Sequence, residues 1–367
     1  MSFVRQFVMT IDKSIMKSKF RGAMLGSLMG DCLGAPFEFD NVTLGDRLVI
    51  QKYFDKLEDP TLKVPYKKYT DDTAMLKSVA QFLTDKPEPD YKFLAKLFVR
   101  EFFKEPNRGY GQGVVEVFSK LKDTKCEDPF KPAKEQFDGS GSYGNGGAMR
   151  IAPIPLFFYD DYDAMLDVAT KATQITHTNP LGVNGALLQS IAIHKALMCD
   201  PKKPINSKDF CNDLFHKIKQ IESDQADELD IEYGSTYQLK MKIVENFLNK
   251  KYDEELDDEV LMCLGNSVTA HESVPTAIYC FLRALEDIPP IKTDNIFRRT
   301  IQYAITLGGD TDTIACMAGS IAGAYLGEET INKTLLKHCE GYEVILEMAD
   351  NLFECRQAVE STSSESS

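Results

Sequence analysis

Two aspartates of this sequence precede a long apolar segment. Asp310 and Asp312 alternate with Thr311 and Thr313, and the following block at 314–326 carries no charge. A helix N-terminus offers free N–H groups and a positive dipole end, so one of the aspartates can serve as an N-cap. The second needs another partner, and carboxylate and hydroxyl oxygens are ligands that Mg²⁺ and Ca²⁺ prefer. The spacing predicts a metal site, with an ordinary capped surface turn as the alternative.

A second helix start has the same composition. Thr70, Asp71, Asp72 and Thr73 precede an apolar periodic segment that runs to about Leu83. Adjacent aspartates repel each other unless a cation lies between them. This second acidic start therefore strengthens the prediction of a metal site.

Glu38 is the candidate for proton transfer. It lies between Phe37 and Phe39, and apolar surroundings raise the pKa of a carboxyl group, as a general acid requires. The alternative is an ordinary glutamate in an exposed loop.

A glycine-rich segment at 137–150 is a candidate phosphate-binding loop. Residues 139–144 fit the pattern G-x-G-x-x-G, but no apolar strand precedes them, which excludes a dinucleotide-binding turn. A glycine-rich loop that leads into a helix still offers N–H groups to a diphosphate; the alternative is a long flexible loop. His177 lies in a break between two predicted helices, where either a site residue or a merely hydrogen-bonded histidine fits.

Two helices with stripes of small residues must position these groups. Glycines recur every four residues at 22, 26, 30 and 34, and Ala315, Gly319 and Gly323 have the same spacing. Each glycine costs a helix about 1 kcal/mol, which close contact must recover. We predict that the two stripes pack face to face and bring Asp31 and Glu38 to the end that carries Asp310.

Helical periodicity extends through most of the chain, and no segment alternates as a β strand does, so the predicted fold class is all-α. Two helices are expected between 91 and 122, and residues 41–68, which are rich in lysine, are predicted to form a surface loop. Further helices are predicted at 163–176, 181–198, 208–226, 237–250, 255–264, 273–286 and 294–306.

Composition excludes several classes of protein. A net charge of −14 argues against binding duplex DNA through its phosphates. The nine cysteines form no C-x-x-C pair, which indicates a reducing, intracellular compartment, and the five histidines do not have zinc-ligand spacing. No apolar run reaches the length of about 18–20 residues that a membrane span needs.

The chain is expected to form a single domain over residues 19–358, with a flexible N-terminus at 1–18 and a disordered tail at 359–367. The first 21 residues are basic and partly apolar, a composition that mitochondrial targeting segments share; the alternative is a frayed N-terminus.

Four motifs, in this order, resemble the ADP-ribosylglycohydrolase family: GDCLG at 30–34 with Glu38, YTDDT at 69–73, GSYGNGG at 141–147 and GGDTDT at 308–313. Two further segments, RGYGQG at 108–113 and ESVPTAIYCFLR at 272–283, resemble the type that acts on serine-ADP-ribose and poly(ADP-ribose) rather than the arginine-specific type.

The resemblance implies an orthogonal helical bundle with two Mg²⁺ ions in a central cleft. One ion is expected on Thr70, Asp71, Asp72 and Asp312, and the other on Glu38, Asp310, Asp312 and Thr313. The substrate contacts that the resemblance implies are Asp71, Gly109, Gly111, Gly113, Phe137, Ser140, Gly141, Ser142, Tyr143, Gly144, Asn145, Gly146, His177, Leu229 and Val268.

The implied activity is Mg-dependent cleavage of the C1″ O-glycosidic bond of ADP-ribose on protein serines, in poly(ADP-ribose) and in O-acetyl-ADP-ribose, with Glu38 as the catalytic residue. A monomer in the cytoplasm and nucleus is expected, with the mitochondrial matrix as a further compartment, and no membrane or DNA contact. The alternative within the fold is a non-catalytic ADP-ribose-binding or structural relative, in which acidic ligands would be lost; here none is missing.

A phosphatase of the haloacid dehalogenase type is a further alternative, because DTDT at 310–313 fits its nucleophile motif. That class needs a parallel strand before the motif and a long chain after it. The sequence has neither feature, which argues against a phosphatase.

Overall fold

The computed structural model describes residues 12–39, 44–86, 88–225 and 236–365. These residues form helices joined by loops, and within the described ranges no β strand occurs, only isolated bridges between Lys67 and Cys339 and between Gly144 and Thr269. The predicted all-α fold class is confirmed, as one helical domain.

The helices vary from one turn to more than six turns. In chain order they are α1 (Lys13–Gly34), α2 (Leu44–Leu57), α3 (Asp71–Asp85), α4 (Tyr91–Lys104), α5 (Gln112–Asp123), α6 (Lys131–Lys134), α7 (Gly146–Met149), α8 (Pro153–Phe157), α9 (Tyr162–Gln174), α10 (Pro180–Met198), α11 (Ser207–Asp224), α12 (Thr236–Leu248), α13 (Glu254–Cys263), α14 (Ala270–Ala284), α15 (Ile296–Thr306), α16 (Thr311–Leu326), α17 (Lys333–Leu336) and α18 (Tyr342–Glu365). Short 3₁₀ helices occur at Ala35–Phe37, Phe137–Gly139 and Glu328–Thr330.

Helices α1 and α16 form the central pair of the bundle, and their glycine faces touch. A Cβ atom added to Gly22 would lie 2.4 Å from the carbonyl oxygen of Gly323, and one added to Gly26 would lie 2.1 Å from that of Gly319. No side chain fits at such distances, so both positions require glycine. The predicted face-to-face contact of the two stripes is confirmed.

The same contact aligns the ends of the two helices. A Cβ atom on Gly34 would lie 2.6 Å from Cα of Asp312, and the Thr311 hydroxyl donates to the carbonyl of Gly34 at 2.9 Å. The C-terminal end of α1 therefore meets the first turn of α16, where the acidic motif begins.

Three helices surround α16 and complete the apolar core. Helices α10, α14 and α15 pack against it, and α10 is buried along most of its length, from Leu181 to Leu197. Among the helices of the described ranges, none is both long and apolar enough to cross a lipid bilayer.

The prediction of a surface loop over residues 41–68 is wrong, because α2 lies within it. Ile50, Phe54 and Leu57 are spaced to share one face of this helix, and all three are buried. Two apolar residues of α2 are exposed and its Gln51 is buried, so the helical periodicity is imperfect in the sequence and the apolar face was missed.

Both ends of the predicted domain are helical further than the sequence indicated. Helix α1 begins at Lys13, capped by the Asp12 side chain, which accepts from the backbone N–H of Ser14 at 2.8 Å. Helix α18 continues to Glu365, and the hydroxyl of Tyr159 donates to Glu360. Residues 13–18 and 359–365 therefore belong to helices, although the sequence assigned them to flexible ends.

Candidate active site

A cavity of about 390 Å³ opens at the end of the α1–α16 pair, a volume within the usual range for small-molecule sites. The start of α3 and the loop before α7 complete its wall. Both acidic helix starts reach this cavity together with the segment after α1. The acidic residues and threonines that line it are Glu38, Thr70, Asp71, Asp72, Asp310, Asp312 and Thr313.

Three of these carboxylates converge closely. One oxygen each of Glu38, Asp310 and Asp312 lie within 4.8 Å of one another. The two aspartates are buried, whereas Glu38 is exposed at the cavity mouth. Such a set of hard oxygen ligands suits a divalent cation.

A turn at Gly308 and Gly309 positions the acidic motif that begins at Asp310. Gly308 and Gly309 have positive φ angles of 70° and 72°, and a Cβ on Gly309 would lie 2.2 Å from the carbonyl oxygen of Asn266. The backbone N–H of Asp310 donates to that same carbonyl at 2.9 Å, and the N–H of Phe39 donates to the carbonyl of Gly309 at 2.8 Å. This turn therefore fixes Asp310 and the Glu38 segment relative to each other.

Asp31 holds the start of α3 in place. Its fully buried carboxylate accepts from the backbone N–H of Thr70 at 2.9 Å and from the N–H and hydroxyl of Thr73 at 3.0 and 2.6 Å. The backbone N–H of Asp71 donates to the carbonyl of Arg108 at 2.7 Å. Asp31 thus reaches the acidic end, as predicted, but it supports the site rather than lining the cavity.

The two helix starts also contact each other directly. The hydroxyl of Thr313 donates to Oδ1 of Asp72 at 3.3 Å. The other oxygen, Oδ2, is buried without a hydrogen-bond donor among the described residues. A buried carboxylate oxygen is costly when it has no partner, and a cation would satisfy it. The residues present therefore fit a divalent metal.

The acidic side chains raise one another's pKa values. Burial and then neighbouring carboxylates, foremost Asp312 for Asp72 and Asp310 for Asp312, hold the pKa values of Asp72 and Asp312 well above the usual range. Loss of solvent around its carboxyl group, followed by the charges of Asp310 and Asp31, raises the pKa of Glu38. A bound cation favours the ionised aspartates and so relieves their repulsion.

The glycine-rich loop also lines the cavity. Its backbone is fixed to the start of α14, because Ala270 N–H donates to the Tyr143 carbonyl at 3.0 Å and Asn145 N–H donates to the Val268 carbonyl at 2.9 Å. The helix that follows the loop, α7, is a single turn of four residues. The sequence predicted that the loop leads into a helix, and it does, but a helix of one turn contributes little dipole.

A family model described as ADP-ribosylglycohydrolase matches residues 12–362. The chain belongs to the ADP-ribosylglycohydrolase family. The ADP-ribosylhydrolase ARH3 of Bos taurus is 43% identical over 345 residues, which cover 91% of this chain and 92% of the relative. The protein of the same name from Homo sapiens is 42% identical over 336 residues, covering 89% and 90% of the two chains.

A solved structure supports the fold alone. A chain of an "ADP-ribosylglycohydrolase-related protein complex" superposes with a TM-score of 0.62 at 19% identity and covers 94% of this chain and 99% of its own. The family match contains every acidic residue of the cavity. The resemblance to the ADP-ribosylglycohydrolase family drawn from the four motifs is confirmed.

Most of the substrate contacts expected from family resemblance line the cavity. Those that do are Asp71, Gly109, Gly111, Gly113, Phe137, Ser142, Gly144, Asn145, Gly146, His177 and Val268. Their contact with a substrate stays a prediction. Leu229 lies outside the described residues.

Three expected contacts of the glycine-rich loop do not line the cavity. Gly141 packs behind the loop, where a Cβ would lie 2.1 Å from Oγ1 of Thr178. The Ser140 hydroxyl donates to the carbonyl of Phe137 at 2.8 Å, and Tyr143 is half exposed beside His271. In this structure, residues 140, 141 and 143 are therefore placed to shape the loop rather than to line the cavity.

Several lining residues were not anticipated from the family motifs: Phe39, Met75, Tyr110, Val114, Met149 and Arg150. Arg150 is the most unexpected, because its side chain is only 1% exposed. No pattern in the sequence around Arg150 indicated that it would be buried in the cavity wall.

Proposed function

We propose that this chain is a divalent-cation-dependent hydrolase that releases ADP-ribose by cleaving an O-glycosidic bond at C1″. Family membership and the relatives named ADP-ribosylhydrolase indicate ADP-ribosyl hydrolase activity. The observation that carries the proposal is the convergence of Glu38, Asp310 and Asp312 on a cavity that a glycine-rich loop also lines.

The proposed substrates share one bond type. They are seryl ADP-ribose on proteins, poly(ADP-ribose) and O-acetyl-ADP-ribose, in each of which C1″ of the ribose is joined to an oxygen. All carry a diphosphate, which an acidic protein accepts only where local cations or N–H donors offset its charge. Bound cations, the backbone of the glycine-rich loop and buried Arg150 can supply them here.

The metal in the proposal is Mg²⁺, with two ions per chain. Bound there, the ions would supply positive charge that polarises oxygens of the substrate and of a water molecule. The residues that would hold one ion are Thr70, Asp71, Asp72 and Asp312, and those for the other are Glu38, Asp310, Asp312 and Thr313. The unpartnered Oδ2 of Asp72 is the observation that supports this assignment.

Glu38 is the residue of the chain placed to move a proton. A carboxyl group at this position can give a proton to the leaving oxygen as the C1″–O bond breaks. The oxygen of water forms the new bond to C1″, and its proton restores the carboxyl group. The position of Glu38 at the exposed rim leaves room for a bulky leaving group.

We further propose an intracellular monomer, in the cytoplasm and nucleus and with the mitochondrial matrix as a further compartment. All nine cysteines are free, and six of them are buried. Free buried thiols are usual in proteins of reducing compartments.

The direct test measures free ADP-ribose released from a serine-ADP-ribosylated peptide, with Mg²⁺ and with EDTA. Release with Mg²⁺ that EDTA abolishes is the expected result. Binding of ADP-ribose without any release from the peptide, the polymer or O-acetyl-ADP-ribose would instead assign the chain to the non-catalytic alternative.

A further inference from the structure

A chain of hydrogen bonds runs from a buried arginine to the histidine of the cavity wall. Nη2 of Arg150 donates to the Thr176 hydroxyl oxygen at 2.7 Å and to the Ala172 carbonyl at 3.1 Å. The Thr176 oxygen also lies 2.7 Å from Nδ1 of His177. Arg150, Thr176 and His177 are all more than nine-tenths buried, and Arg150 and His177 line the cavity.

The chemistry of the three groups sets the direction of these bonds. A guanidinium group is only a donor, so the Thr176 oxygen accepts from Arg150. The Thr176 hydroxyl has one hydrogen, and among the described residues Nδ1 of His177 is the one acceptor within reach of it. The hydroxyl therefore donates to Nδ1, which must carry no hydrogen.

We propose that Arg150 and Thr176 are positioning residues that hold His177 as the Nε2–H tautomer, so that Nε2 donates a hydrogen bond to an oxygen of the bound ligand. The identity of that ligand as an ADP-ribosyl group rests on the proposed function. The tautomer follows from the hydrogen bonds and stands without it.

The surroundings of the imidazole agree with this assignment. Burial, together with the charge of Arg150, lowers the pKa of His177 to about 3, so the ring is neutral at physiological pH and has one N–H. A Cβ on Gly144 would lie 3.3 Å from Nε2, and one on Gly146 would lie 2.7 Å from Cε1. The two glycines therefore leave the Nε2 edge of the ring free of side chains on that side.

The guanidinium group of Arg150 has few interaction partners. Its guanidinium lies 4.7 Å from the ring centre of Phe98, and Nε and Nη1 have no hydrogen-bond partner among the described residues. Within the described part of the chain, the hydrogen bonds of this guanidinium group come from Nη2. A fixed donor at Thr176 also means that His177 acts as a hydrogen-bond donor and not as a base, because Nδ1 is already occupied.

The decisive measurement is the protonation state of each ring nitrogen in ¹⁵N-histidine-labelled full-length protein. Long-range ¹H–¹⁵N NMR distinguishes a protonated from an unprotonated imidazole nitrogen, and the chain has five histidines. A His177→Gln variant identifies the signals of His177. We expect a single Nε2–H species at neutral pH, and an Nδ1–H species would overturn the proposal.

Two threonine variants test the role of Thr176. Thr176→Val removes the donor to Nδ1 and should give a mixture of tautomers, whereas Thr176→Ser should keep the wild-type pattern. Thr173→Val is the matched control, because Thr173 is buried one turn earlier and its hydroxyl has no partner among the described residues. An unchanged tautomer in Thr176→Val, or the same change in Thr173→Val, would refute the role of Thr176.

Arg150→Lys tests the first donor of the hydrogen-bond chain that leads to His177. The lysine keeps the positive charge but cannot reproduce the planar donor geometry, so we expect tautomer mixing in a protein whose circular dichroism shows normal folding. If this variant does not fold, Thr176→Val decides the proposal by itself.

Binding provides a second readout. Thr176→Val should weaken ADP-ribose binding about three- to tenfold with a smaller effect on kcat, and Thr176→Ser should restore wild-type affinity. Equal losses of affinity in Thr173→Val and Thr176→Val would show an effect of packing and contradict the proposal. Absence of hydrolysis by the wild-type protein would reject the proposed function but leave the NMR result intact.

Discussion

The side-chain amide of Asn145 donates to Oδ2 of Asp310 at 2.6 Å, and this bond joins the glycine-rich loop to the first turn of α16. The same amide nitrogen lies 3.1 Å from the hydroxyl of Ser273 in α14. Both groups are buried. The wall expected to bind the diphosphate and the turn expected to bind metal are therefore parts of one hydrogen-bonded unit.

Removal of this amide should weaken the metal site. Asn145→Ala leaves Oδ2 of Asp310 without its donor, and loss of an orienting group around a ligand typically lowers metal affinity about tenfold or more. Calorimetric titration with Mg²⁺ measures the change. Ser273→Ala, which removes the other partner of Asn145, serves as the control and should have a smaller effect. Wild-type Mg²⁺ affinity in Asn145→Ala would show that the hydrogen bond does not orient Asp310.

Glu38→Gln should separate binding from turnover. The amide keeps the size of the side chain but cannot transfer a proton, so kcat should fall by about two to four orders of magnitude while ADP-ribose affinity stays near wild type. Release of ADP-ribose from a modified peptide gives the rate. Glu116→Gln, on the exposed face of α5, is the control and should not change it. A near-normal rate in Glu38→Gln would remove Glu38 from the mechanism.

Asp312→Asn should damage cation binding itself. Asp312 is the ligand expected to serve both ions, and its neutral amide is a poor ligand for Mg²⁺. We expect Mg²⁺ to raise the melting temperature of the wild-type protein and to have little effect on the variant, as measured by differential scanning calorimetry. An equal Mg²⁺-dependent shift in both proteins would rule out the bridging role.

Gly26→Ala should strongly destabilise the fold. Its Cβ would overlap the backbone of Gly319, which cannot move aside as a side chain can, so we expect a loss of about 2–4 kcal/mol in the free energy of unfolding. Gly111→Ala is the matched control for stability, since nothing lies within 4 Å of its Cβ position and its φ angle is −63°. Because Gly111 is also the N-cap of α5, its entropic gain and its capping cost oppose each other, and stability should change by less than about 1 kcal/mol. Urea unfolding compares the two variants. Equal stabilities would show that the contact between α1 and α16 tolerates side chains.

The docking of α18 on α1 should depend on pH through Asp350. Hydrogen bonds from Arg21, at 2.6 and 2.8 Å, lower the pKa of Asp350 below its usual value. The stabilisation is therefore complete above the unfolded-state pKa of 3.8 and is lost as pH falls through the lower folded-state value. Asp350→Asn should cost about 1 kcal/mol at neutral pH.

Urea unfolding over a pH series tests this dependence. The difference between wild type and Asp350→Asn should shrink towards zero at low pH. Glu347→Gln is the control on the same helix, because Glu347 is exposed and has no ion pair with a described residue. A difference for Asp350→Asn that does not change with pH would contradict a role for its charge.

The sequence was sufficient where a local pattern determined a long-range contact. Glycines at intervals of four predicted the α1–α16 contact, since only another backbone can fill such a face. The proximity of Glu38 and Asp310 could then be predicted, because Glu38 follows the C-terminal end of α1 and Asp310 precedes the start of α16. The all-α fold class followed from the same periodicity.

The missed features depend on packing that no local pattern shows. Helix α2 buries a narrow apolar face against α15 and α17. Its many charged residues gave this segment the composition of a surface loop. The contact between Arg150 and Thr176 joins residues 26 positions apart. Arg150 is thus buried by the fold as a whole, and spacing in the sequence does not reveal its partner.

The contact between α1 and α16 is made largely by main-chain atoms, and this affects which core substitutions the protein can accept. The gap between the two helices is set by backbone thickness and not by the rotamers of large side chains. Residues elsewhere in the core can then be exchanged for others of similar volume without altering the separation of the carboxylates at its end. The separation of the two helices is therefore constant, while the side chains of the remaining core can vary in sequence.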